Sequence, residues 1–393
     1  MTRHQRRFKP FTRPVCPSPV ALRWDGRPWA FPRASNPADQ EPTTHVGVGP
    51  GHEHGPGATR STSVDPPFRV LACQRAPSLS QYGYRPGRSA HQAIGVCRER
   101  CWRNDWVLDL DIRKFFDSVS WELTLKAVSH HTDLRWVLLY VERWLKAPLQ
   151  RADGSLVERD RGTPQGSAIS PLLANMFLHY AFDAWMAREF PAVRFERYCD
   201  DIIVHARSER HARYLWAAIA RRLAECGLEL NQQKTRIVYC KDDDRRGSYE
   251  HTSFDFLSYT FRPRLSKSRY GKHFVNFSPA VSNATKTRLR REMRSWRVAR
   301  RSDKSLTDLA LMFNRKLQGW INYYGRFYKS MLYPVFRHLN DTLVRWAMRK
   351  YKRLRRHPTR ARGFIAEVAR RQPDLFAHWR FGVRPDGWTM GAR

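Results

Sequence analysis

The feature that most restricts the fold is a pair of adjacent acids between two apolar segments. Residues 193–198 and 202–206 have the apolar composition of core strands, and Asp200 and Asp201 lie between them. Two strands so close in the chain pair most simply as an antiparallel hairpin, which presents both carboxylates at its turn. Acids at a turn are often no more than solvated turn formers. The pair therefore indicates a functional site only if further acids converge on it.

A second acidic segment lies upstream. In residues 106–112, apolar side chains alternate with Asp109 and Asp111. In a strand, these two carboxylates share one face, which suits a polar cleft. Hard divalent cations bind carboxylate oxygens, and two magnesium ions about 4 Å apart would neutralise acids that converge from separate strands. Together the two acidic segments predict a site for two Mg²⁺ ions.

The surplus of positive charge indicates the class of partner. The 393 residues include 71 Lys or Arg against 36 Asp or Glu, which gives a formal net charge of +35, and 13% of them are aromatic. Such a surplus repels itself unless the partner is a polyanion. An anionic membrane surface or a disordered basic tail would also suit the charge, but aromatic side chains among the cations favour stacking on bases. We therefore expect a nucleic acid partner.

Cysteine usage and hydropathy predict a reducing, non-membrane environment. The seven cysteines are odd in number and include no Cys-x-x-Cys pair, so neither a disulfide framework nor a zinc knuckle is expected. Cys97 and Cys101 could share a helix face, but without a second pair they are better interpreted as buried thiols than as metal ligands. No apolar run reaches the length of a membrane span. We expect a cytoplasmic protein with no membrane partner.

Composition divides the chain into five segments. Half of the 24 prolines precede residue 68, so residues 1–80 are predicted to be disordered or divergent. Helical and strand patterns alternate through residues 81–264, which predicts one domain of mixed secondary structure. The remaining segments are a strand-like connection (residues 265–280), a basic helical region (residues 281–372) and a C-terminal tail (residues 373–393).

Five sequence motifs follow one another between residues 82 and 264. They are Tyr-Gly-Tyr-Arg-Pro-Gly-Arg-Ser at residues 82–89, Asp-Ile-Arg-Lys-Phe-Phe-Asp at 111–117, Arg-Gly-Thr-Pro-Gln-Gly-Ser running on to Asn at 161–175, Tyr-Cys-Asp-Asp at 198–201 and Asn-Gln-Gln-Lys-Thr at 231–235. In this order they resemble the motifs of the reverse transcriptase and maturase proteins of bacterial group II introns. The resemblance implies an α+β fold, with a right-hand polymerase palm and partial fingers followed by an α-helical thumb or maturase domain.

The resemblance also implies an activity, RNA-directed DNA synthesis, and its catalytic residues. Asp111, Asp200 and Asp201 match the acidic cluster that binds two Mg²⁺ ions, and Ile112 would offer its backbone carbonyl to a metal. One ion would activate the 3′-hydroxyl of a DNA primer, while the other would hold the incoming deoxynucleoside triphosphate. The remaining partners implied are an RNA template and intron RNA.

Further positions match the family's nucleotide pocket. Phe116 lies where the family excludes a 2′-hydroxyl from the incoming sugar, Gln165 would line the pocket, and Lys234 and Arg85 would supply positive charge. The alternatives are a buried core aromatic at Phe116 and a solvated lysine at Lys234. Residues 254–259 resemble the primer-grip strand, although Phe-Leu-Ser-Tyr replaces the usual Phe-Leu-Gly-Phe.

The basic helical region carries a further resemblance. Residues 281–360 contain 22 Lys or Arg but only 4 Asp or Glu, and Gln-Gly-Trp-Ile-Asn-Tyr-Tyr at residues 318–324 resembles the thumb or maturase signature. Large aromatics of such a motif more often pack a core than contact RNA. The cations that border the motif would bind RNA phosphates: Arg315, Lys316, Arg326 and Lys329.

The resemblance has limits that keep other functions open. Residues 1–80 contain no counterpart of the family's finger segment with its Leu-Gly-Ile-Pro run and basic residues, and each lost charge-assisted contact to the triphosphate would cost about 1.5–3 kcal/mol. A degraded 5′ end of an intron reading frame would explain this composition. The paired cysteines of a His-Asn-His nuclease are also missing, so no endonuclease domain is expected. The alternative functions are a reverse transcriptase domesticated for defence or diversification and a catalytically impaired, RNA-binding maturase remnant.

Overall fold

The computed structural model of the chain describes residues 80–150, 155–163 and 169–385. Gln165 and the proline-rich residues 1–79 therefore lie outside the described residues. Among the helices that are described, none combines the length and the apolar composition of a membrane span.

The described residues form strands and helices that alternate up to residue 281 and are then helical. The strands are β1 (Trp106–Leu110), β2 (Leu149–Gln150), β3 (Leu156–Val157), β4 (Phe195–Tyr198), β5 (Asp201–Ala206), β6 (Arg236–Tyr239), β7 (Phe254–Phe256), β8 (Tyr259–Lys267) and β9 (His273–Val281). The helices are α1 (Ala90–Arg103), α2 (Phe115–Ser118), α3 (Trp121–Ser129), α4 (Arg135–Lys146), α5 (Ser170–Leu178), a π-helix (His179–Asp183), α6 (Ala184–Glu189), α7 (Glu209–Glu225), α8 (Asn283–Ser295), α9 (Leu306–Tyr324), α10 (Tyr333–Lys350), α11 (Pro358–Arg371) and α12 (Ala377–Arg380).

The predicted hairpin around the adjacent acids is confirmed. Strands β4 and β5 pair antiparallel, with Tyr198 opposite Asp201. Strand β4 begins at Phe195 rather than at residue 193, because the Val193 N–H donates to the Phe190 carbonyl at 2.9 Å and closes the turn after α6.

The main sheet is antiparallel, in the order β4-β5-β1-β6, and its two faces have different coverings. Leu108 of β1 and Val204 of β5 are paired and face a core formed with α5 and α7. Val107 and Ile203 face the other way, into a core shared with α1 and the helical region. Because side chains alternate along a strand, Asp109 lies on the same face as Val107.

The three-stranded sheet β7-β8-β9 joins the main sheet to the helical region. Its buried aromatics Phe261 and Phe277 belong to one continuous core with the buried side chains of α8 to α11. Strand β8 pairs with β9 from Tyr259 to Lys267. The boundary that we predicted after residue 264 therefore falls inside β8.

Residues 373–385 form part of the core, so the prediction of a tail from residue 373 is wrong for this stretch. Phe376, Trp379 and Val383 are each at most 1% exposed. The Trp379 indole donates to Asn340 Oδ1 of α10 at 2.9 Å. So short a segment carries too little periodicity to signal burial, which results from docking against a distant helix.

The turn between β7 and β8 holds two residues in the left-handed region. Leu257 and Ser258 have φ angles of 51° and 68°, as in the two-residue hairpin turns that favour Gly or Asn. Two bonds fix this turn: the Tyr323 hydroxyl donates to the Leu257 carbonyl at 3.1 Å, and the Ser282 N–H donates to the Ser258 carbonyl at 3.0 Å. Ser258 therefore keeps a conformation that costs an L-residue about 1–2 kcal/mol.

We predict that Ser258→Gly raises the free energy of unfolding by about 0.5–1 kcal/mol, because glycine removes the left-handed strain at a smaller entropic cost. The measurement is equilibrium unfolding in urea, in which the free energy of unfolding should depend on urea concentration with the same slope in both proteins. Ser266→Gly is the matched control, since Ser266 lies inside β8 at an ordinary φ, and there glycine should lower stability. Equal destabilisation by both substitutions would contradict the prediction.

Candidate active site

The two adjacent acids are presented by a tight, partly buried turn. Tyr198 and Asp201 pair at the strand ends, so Cys199 and Asp200 are the two turn residues. Cys199 has a φ of 62° and is 7% exposed. A positive φ at the first turn residue is the geometry that matches the twist of a two-residue hairpin. The turn thus directs Asp200 and Asp201 towards the end of β1.

Asp111 lies directly after β1, and the Asn-Gln-Gln-Lys-Thr motif encloses its backbone. The Asn231 N–H donates to the Asp111 carbonyl at 2.8 Å, and the Asp111 N–H donates to Thr235 Oγ1 at 3.3 Å. Lys234 Nζ lies 3.7 Å from Asp111 Oδ2. Ile112 forms an isolated bridge with Leu230. The structure therefore brings Asp111, Ile112 and Lys234 together.

Burial and neighbouring like charges raise the pKa of two acids of this site. Burial, reinforced by the charges of Asp200 and Asp111, raises the pKa of Asp201 to about 6, although part of this side chain reaches solvent. Burial, followed by the charges of Asp201, Asp111 and Asp255, raises the pKa of Asp109 to about 7. Five carboxylates consequently influence one another at this end of the sheet.

Two of these acids had no assigned role in the sequence analysis. Asp109 was recognisable as sharing the face of Asp111, because the two alternate along β1. Asp255 lies in β7, on a different sheet, and only the tertiary fold brings its charge near Asp109. Both enlarge the negative potential at the site.

The arrangement fits hard divalent cations. Such ions bind carboxylate oxygens, and a dense group of carboxylates is stable at neutral pH when cations neutralise it. Burial and the neighbouring acids raise the pKa of Asp201 and Asp109, and a bound cation would oppose that shift by stabilising the ionised carboxylates. Lys234 offsets little of this charge, because its side chain is 68% exposed.

A buried ion pair is hydrogen-bonded to the turn that carries Asp200 and Asp201. Arg197 of β4 and Asp183 of the π-helix are both 1% exposed and are joined by two hydrogen bonds, of 2.7 Å from Nε and 2.5 Å from Nη2. Burial favours a higher pKa for Asp183, but the Arg197 charge outweighs it and holds that pKa below its usual value. Arg197 Nη1 also donates to the Cys199 carbonyl at 3.0 Å and to Asn175 Oδ1 at 2.9 Å.

The Tyr-Gly-Tyr-Arg motif packs directly on the same turn. A Cβ added to Gly83 would lie 2.7 Å from the backbone nitrogen of Cys199. Asn175 Nδ2 donates to the Gly83 carbonyl at 2.9 Å. Asn175 thus links Gly83 to Arg197, and the absence of a side chain at Gly83 permits the close approach.

Two further residues that the sequence predicts for the nucleotide pocket, Phe116 and Arg85, are both half-buried. Phe116 of α2 is half-buried, with its ring centroid 5.3 Å from that of Phe115, and its carbonyl accepts from the Thr163 N–H at 2.7 Å. Arg85 is half-buried and donates to the Gln81 carbonyl at 3.2 Å. Burial and the neighbouring Arg88 lower the pKa of Arg85.

The basic helical region exposes cations and buries aromatics. Trp320 stacks on Trp296 with centroids 5.4 Å apart, and Tyr324 is 6% exposed, so the aromatics of the 318–324 motif pack inward. Lys316 Nζ is paired with Glu292 at 3.0 Å. The four cations expected to contact RNA are all on the surface: Arg315, Lys316, Arg326 and Lys329.

Two protein-family models match the chain. Residues 69–261 match the model for reverse transcriptase (RNA-dependent DNA polymerase), and residues 286–363 match the model for the group II intron, maturase-specific domain. The first match contains all five acids of the site, and the second contains the 318–324 motif. The predicted fold class, an α+β polymerase domain followed by a helical region, is confirmed.

Individual relatives match over shorter lengths. Protein YkfC of Escherichia coli (strain K12) is 28% identical over 233 residues, which are 49% of this chain and 56% of that protein. The group II intron-encoded protein LtrA of Lactococcus lactis subsp. cremoris is 29% identical over 98 residues, 25% of this chain and 16% of that protein. The chain therefore spans little more than half of the first relative. Telomerase from Candida albicans, solved with a fragment of telomeric RNA, superposes with a TM-score of 0.40 at 12% identity, covering 83% of this chain and 55% of that chain.

We predict that Arg197→Met lowers the free energy of unfolding by about 3–5 kcal/mol at pH 7, because it leaves the Asp183 carboxylate buried without a partner. The loss should shrink as the pH falls, since the unpaired carboxylate acquires a raised pKa and is relieved by protonation. Urea unfolding at pH 7 and pH 5 measures both effects.

The control for this prediction is Arg213→Met. Arg213 pairs with Glu209 at 2.6 Å on the surface, with the arginine side chain 70% exposed, and its loss should cost at most about 1 kcal/mol. A cost for Arg197→Met no greater than for Arg213→Met would show that the buried pair does not organise the fold.

Proposed function

The chain carries a reverse transcriptase domain joined to a group II intron maturase-specific domain, and on that premise we propose that it is an RNA-directed DNA polymerase of the group II intron type that also assists intron splicing. The observation that carries the proposal is the convergence of Asp111 with Asp200 and Asp201 from separate strands. The domains would be a fingers and palm domain (residues 81–264) and a thumb or maturase domain (residues 281–372).

Asp111, Asp200 and Asp201 would be the metal ligands, together with the backbone carbonyl of Ile112. The bonds beside the Ile112 bridge are made by the Asp111 carbonyl and the Arg113 N–H, so this bridge does not use the Ile112 carbonyl. The chemistry that two divalent ions, proposed to be Mg²⁺, supply when bound is activation of the primer 3′-hydroxyl and neutralisation of triphosphate charge.

Other side chains would select and orient the incoming deoxynucleoside triphosphate. Lys234 holds a positive charge 3.7 Å from Asp111, where it would contact the triphosphate. Phe116, half-buried beside the same segment, would meet a 2′-hydroxyl and thereby exclude ribonucleotides. Arg85 and Gln165 would complete the pocket.

Two alternative functions share parts of this geometry. An RNA-binding maturase remnant has no need of clustered acids, which are costly to keep ionised in a partly buried site. A reverse transcriptase domesticated for defence or diversification would need the acids but not the maturase-specific domain. The acids and the match at residues 286–363 together favour the intron type.

The proposed partners are an RNA template, a DNA primer and intron RNA. A cytoplasmic location is part of the proposal, because a reducing compartment keeps thiols free. The described cysteines are all free thiols: Cys97, Cys101, Cys199, Cys226 and Cys240.

We predict that Asp200→Asn lowers primer extension on an RNA template at least about 100-fold while RNA affinity changes less than about threefold, because it removes a metal-ligand charge but no phosphate contact. Gel-based extension with deoxynucleotides and saturating Mg²⁺ measures the first effect, and filter binding measures the second. Asp133→Asn, at an exposed acid before α4, is the matched control. Equal extension by the wild type and Asp200→Asn would refute the polymerase assignment.

We predict that replacing Arg315, Lys316, Arg326 and Lys329 together by Gln weakens RNA binding and flattens its salt dependence. For single-stranded RNA, log affinity falls with log salt at about 0.7 per phosphate neutralised, so the loss of up to four contacts would reduce the slope by up to about 3. Titrations between low and physiological salt measure this slope.

The control removes the same charge from the first domain, by replacing four exposed arginines: Arg188, Arg207, Arg210 and Arg213. A specific RNA surface on the helical region predicts a smaller change of slope in this control. Weakening of unrelated RNAs alike would indicate backbone contacts, whereas a loss confined to one folded intron RNA would indicate recognition of shape. An unchanged affinity and slope in the thumb variant would refute the proposed RNA surface.

A further inference from the structure

A cavity between α8 and α10 is lined by arginines. It has a volume of about 420 Å³, and Met293, Val298 and Ala299 form the apolar part of its wall. Among the residues that the structure describes, no acid lines it. Five arginines do: Arg294, Arg297, Arg300, Arg345 and Arg349. We call this cavity the arginine cleft.

The two walls of the arginine cleft are fixed to each other. After α8, Arg297 takes a left-handed φ of 50°, and the chain then forms a 3₁₀ helix (Val298–Arg300). The Trp346 indole of α10 donates to the Arg301 carbonyl at 2.9 Å, and Arg301 Nε donates to the Trp296 carbonyl at 3.0 Å. Because Trp346 is 0% exposed, the turn that carries Arg297 is anchored in the core.

The α10 wall presents two arginines in a defined orientation. Thr342, Arg345 and Arg349 are three and four residues apart, so they lie along one face of the helix. Arg345 Nη2 donates to Thr342 Oγ1 at 2.9 Å, and the Thr342 hydroxyl donates to the His338 carbonyl at 2.8 Å. Thr342 is therefore a positioning residue for the Arg345 guanidinium.

Within the described part of the chain, none of the five guanidinium groups has a carboxylate partner. The acids nearest to them in sequence form ion pairs with other cations: Glu292 with Lys316, Asp303 with Lys304 and Asp341 with Arg362. Like charges four residues apart, such as Arg345 and Arg349, destabilise a helix. The arginine cleft thus holds uncompensated positive charge that a bound anion would neutralise.

The chemistry of the arginine cleft suits phosphate groups. A guanidinium binds a phosphate through two parallel hydrogen bonds, which an ammonium cannot do. Each phosphate of a nucleic acid strand carries one negative charge, so five arginines suit several phosphates rather than one. The cavity volume lies within the range of about 300–1,000 Å³ that is usual for small-ligand pockets. One turned strand can therefore enter the cleft, whereas a double helix is too wide.

We propose that the arginine cleft binds consecutive phosphates of an unpaired, tightly turned stretch of RNA. The choice of RNA rests on the proposed function, because the cleft lies within residues 286–363, which match the group II intron, maturase-specific domain. The cleft is distinct from the surface that contains Lys316. Lys316 pairs with Glu292, and Arg294 lies two residues after Glu292, about 200° further around α8. The protein would therefore contact RNA on two sides of α8.

The test measures how the full chain binds a fluorescein-labelled oligouridylate, which stays unpaired, by fluorescence anisotropy. Replacing Arg297, Arg345 and Arg349 together by Gln should weaken binding at least about tenfold at physiological salt, and should reduce the slope of log affinity against log salt by up to about 2. The control replaces three exposed arginines of the same region that do not line the cleft: Arg353, Arg355 and Arg360. Equal weakening by both sets of substitutions would overturn the proposal.

A purely structural role of the three arginines is tested separately. Because glutamine relieves the repulsion between like charges, the triple variant should melt at no lower temperature than the wild type at low salt. Inorganic pyrophosphate should raise the melting temperature of the wild type more than that of the triple variant. A lower melting temperature of the triple variant, or an equal effect of pyrophosphate on both proteins, would overturn the proposal.

A charge-conserving variant tests the paired hydrogen bonds. Arg345→Lys together with Arg349→Lys keeps both charges but loses the planar guanidinium groups. It should weaken the binding of oligouridylate about threefold while the salt slope stays unchanged. Unchanged affinity in both this variant and the triple glutamine variant would overturn the proposal.

Competitors identify the class of ligand. Unlabelled oligouridylate should displace the labelled RNA from the wild type more effectively than an RNA duplex or polyglutamate of equal charge does. Equal competition by either of these two would overturn the assignment to an unpaired RNA strand. Asp200→Asn should leave the binding of oligouridylate unchanged, so a failure of this proposal and a failure of the polymerase assignment are distinguishable.

Discussion

The active-site end of the structure depends on the buried ion pair between Arg197 and Asp183. Removing two charges from water is costly, and such a pair persists when its geometry is good and the remaining donors are satisfied. Here the guanidinium also binds Asn175 and the Cys199 carbonyl. One arginine thereby connects a strand, the π-helix and the turn that carries Asp200 and Asp201. The turn that presents the two acids is thereby hydrogen-bonded to the buried pair through the Cys199 carbonyl.

One face of the main sheet has two ends with different surroundings. At the open end carboxylates converge, and burial together with their charges raises the pKa of Asp109 and Asp201, which suits hard cations. At the other end, α1 covers Cys97 and His205 away from solvent, and His205 pairs with Glu196 at 2.6 Å.

Local sequence patterns predicted much of the fold. The hairpin at residues 198–201, the strand that precedes Asp111 and the basic helices were all recognisable, because alternation, helical periodicity and turn chemistry involve neighbouring residues. The order of the motifs predicted the α+β polymerase class. Even so, the tail assigned from residue 373 was wrong for residues 373–385, whose burial depends on a distant helix.

By itself, the sequence determined which side chains are available: the acids, the cations and the strand alternation that places Asp109 and Asp111 on one face. Only the tertiary structure decided which of them meet. It brought Asp255 within electrostatic range of Asp109, placed Gly83 against Cys199, and placed His205 beside Glu196 and Cys97 in one buried group. These encounters join residues far apart in the chain, and they arise from sheet register and helix packing, which no short pattern of residues encodes.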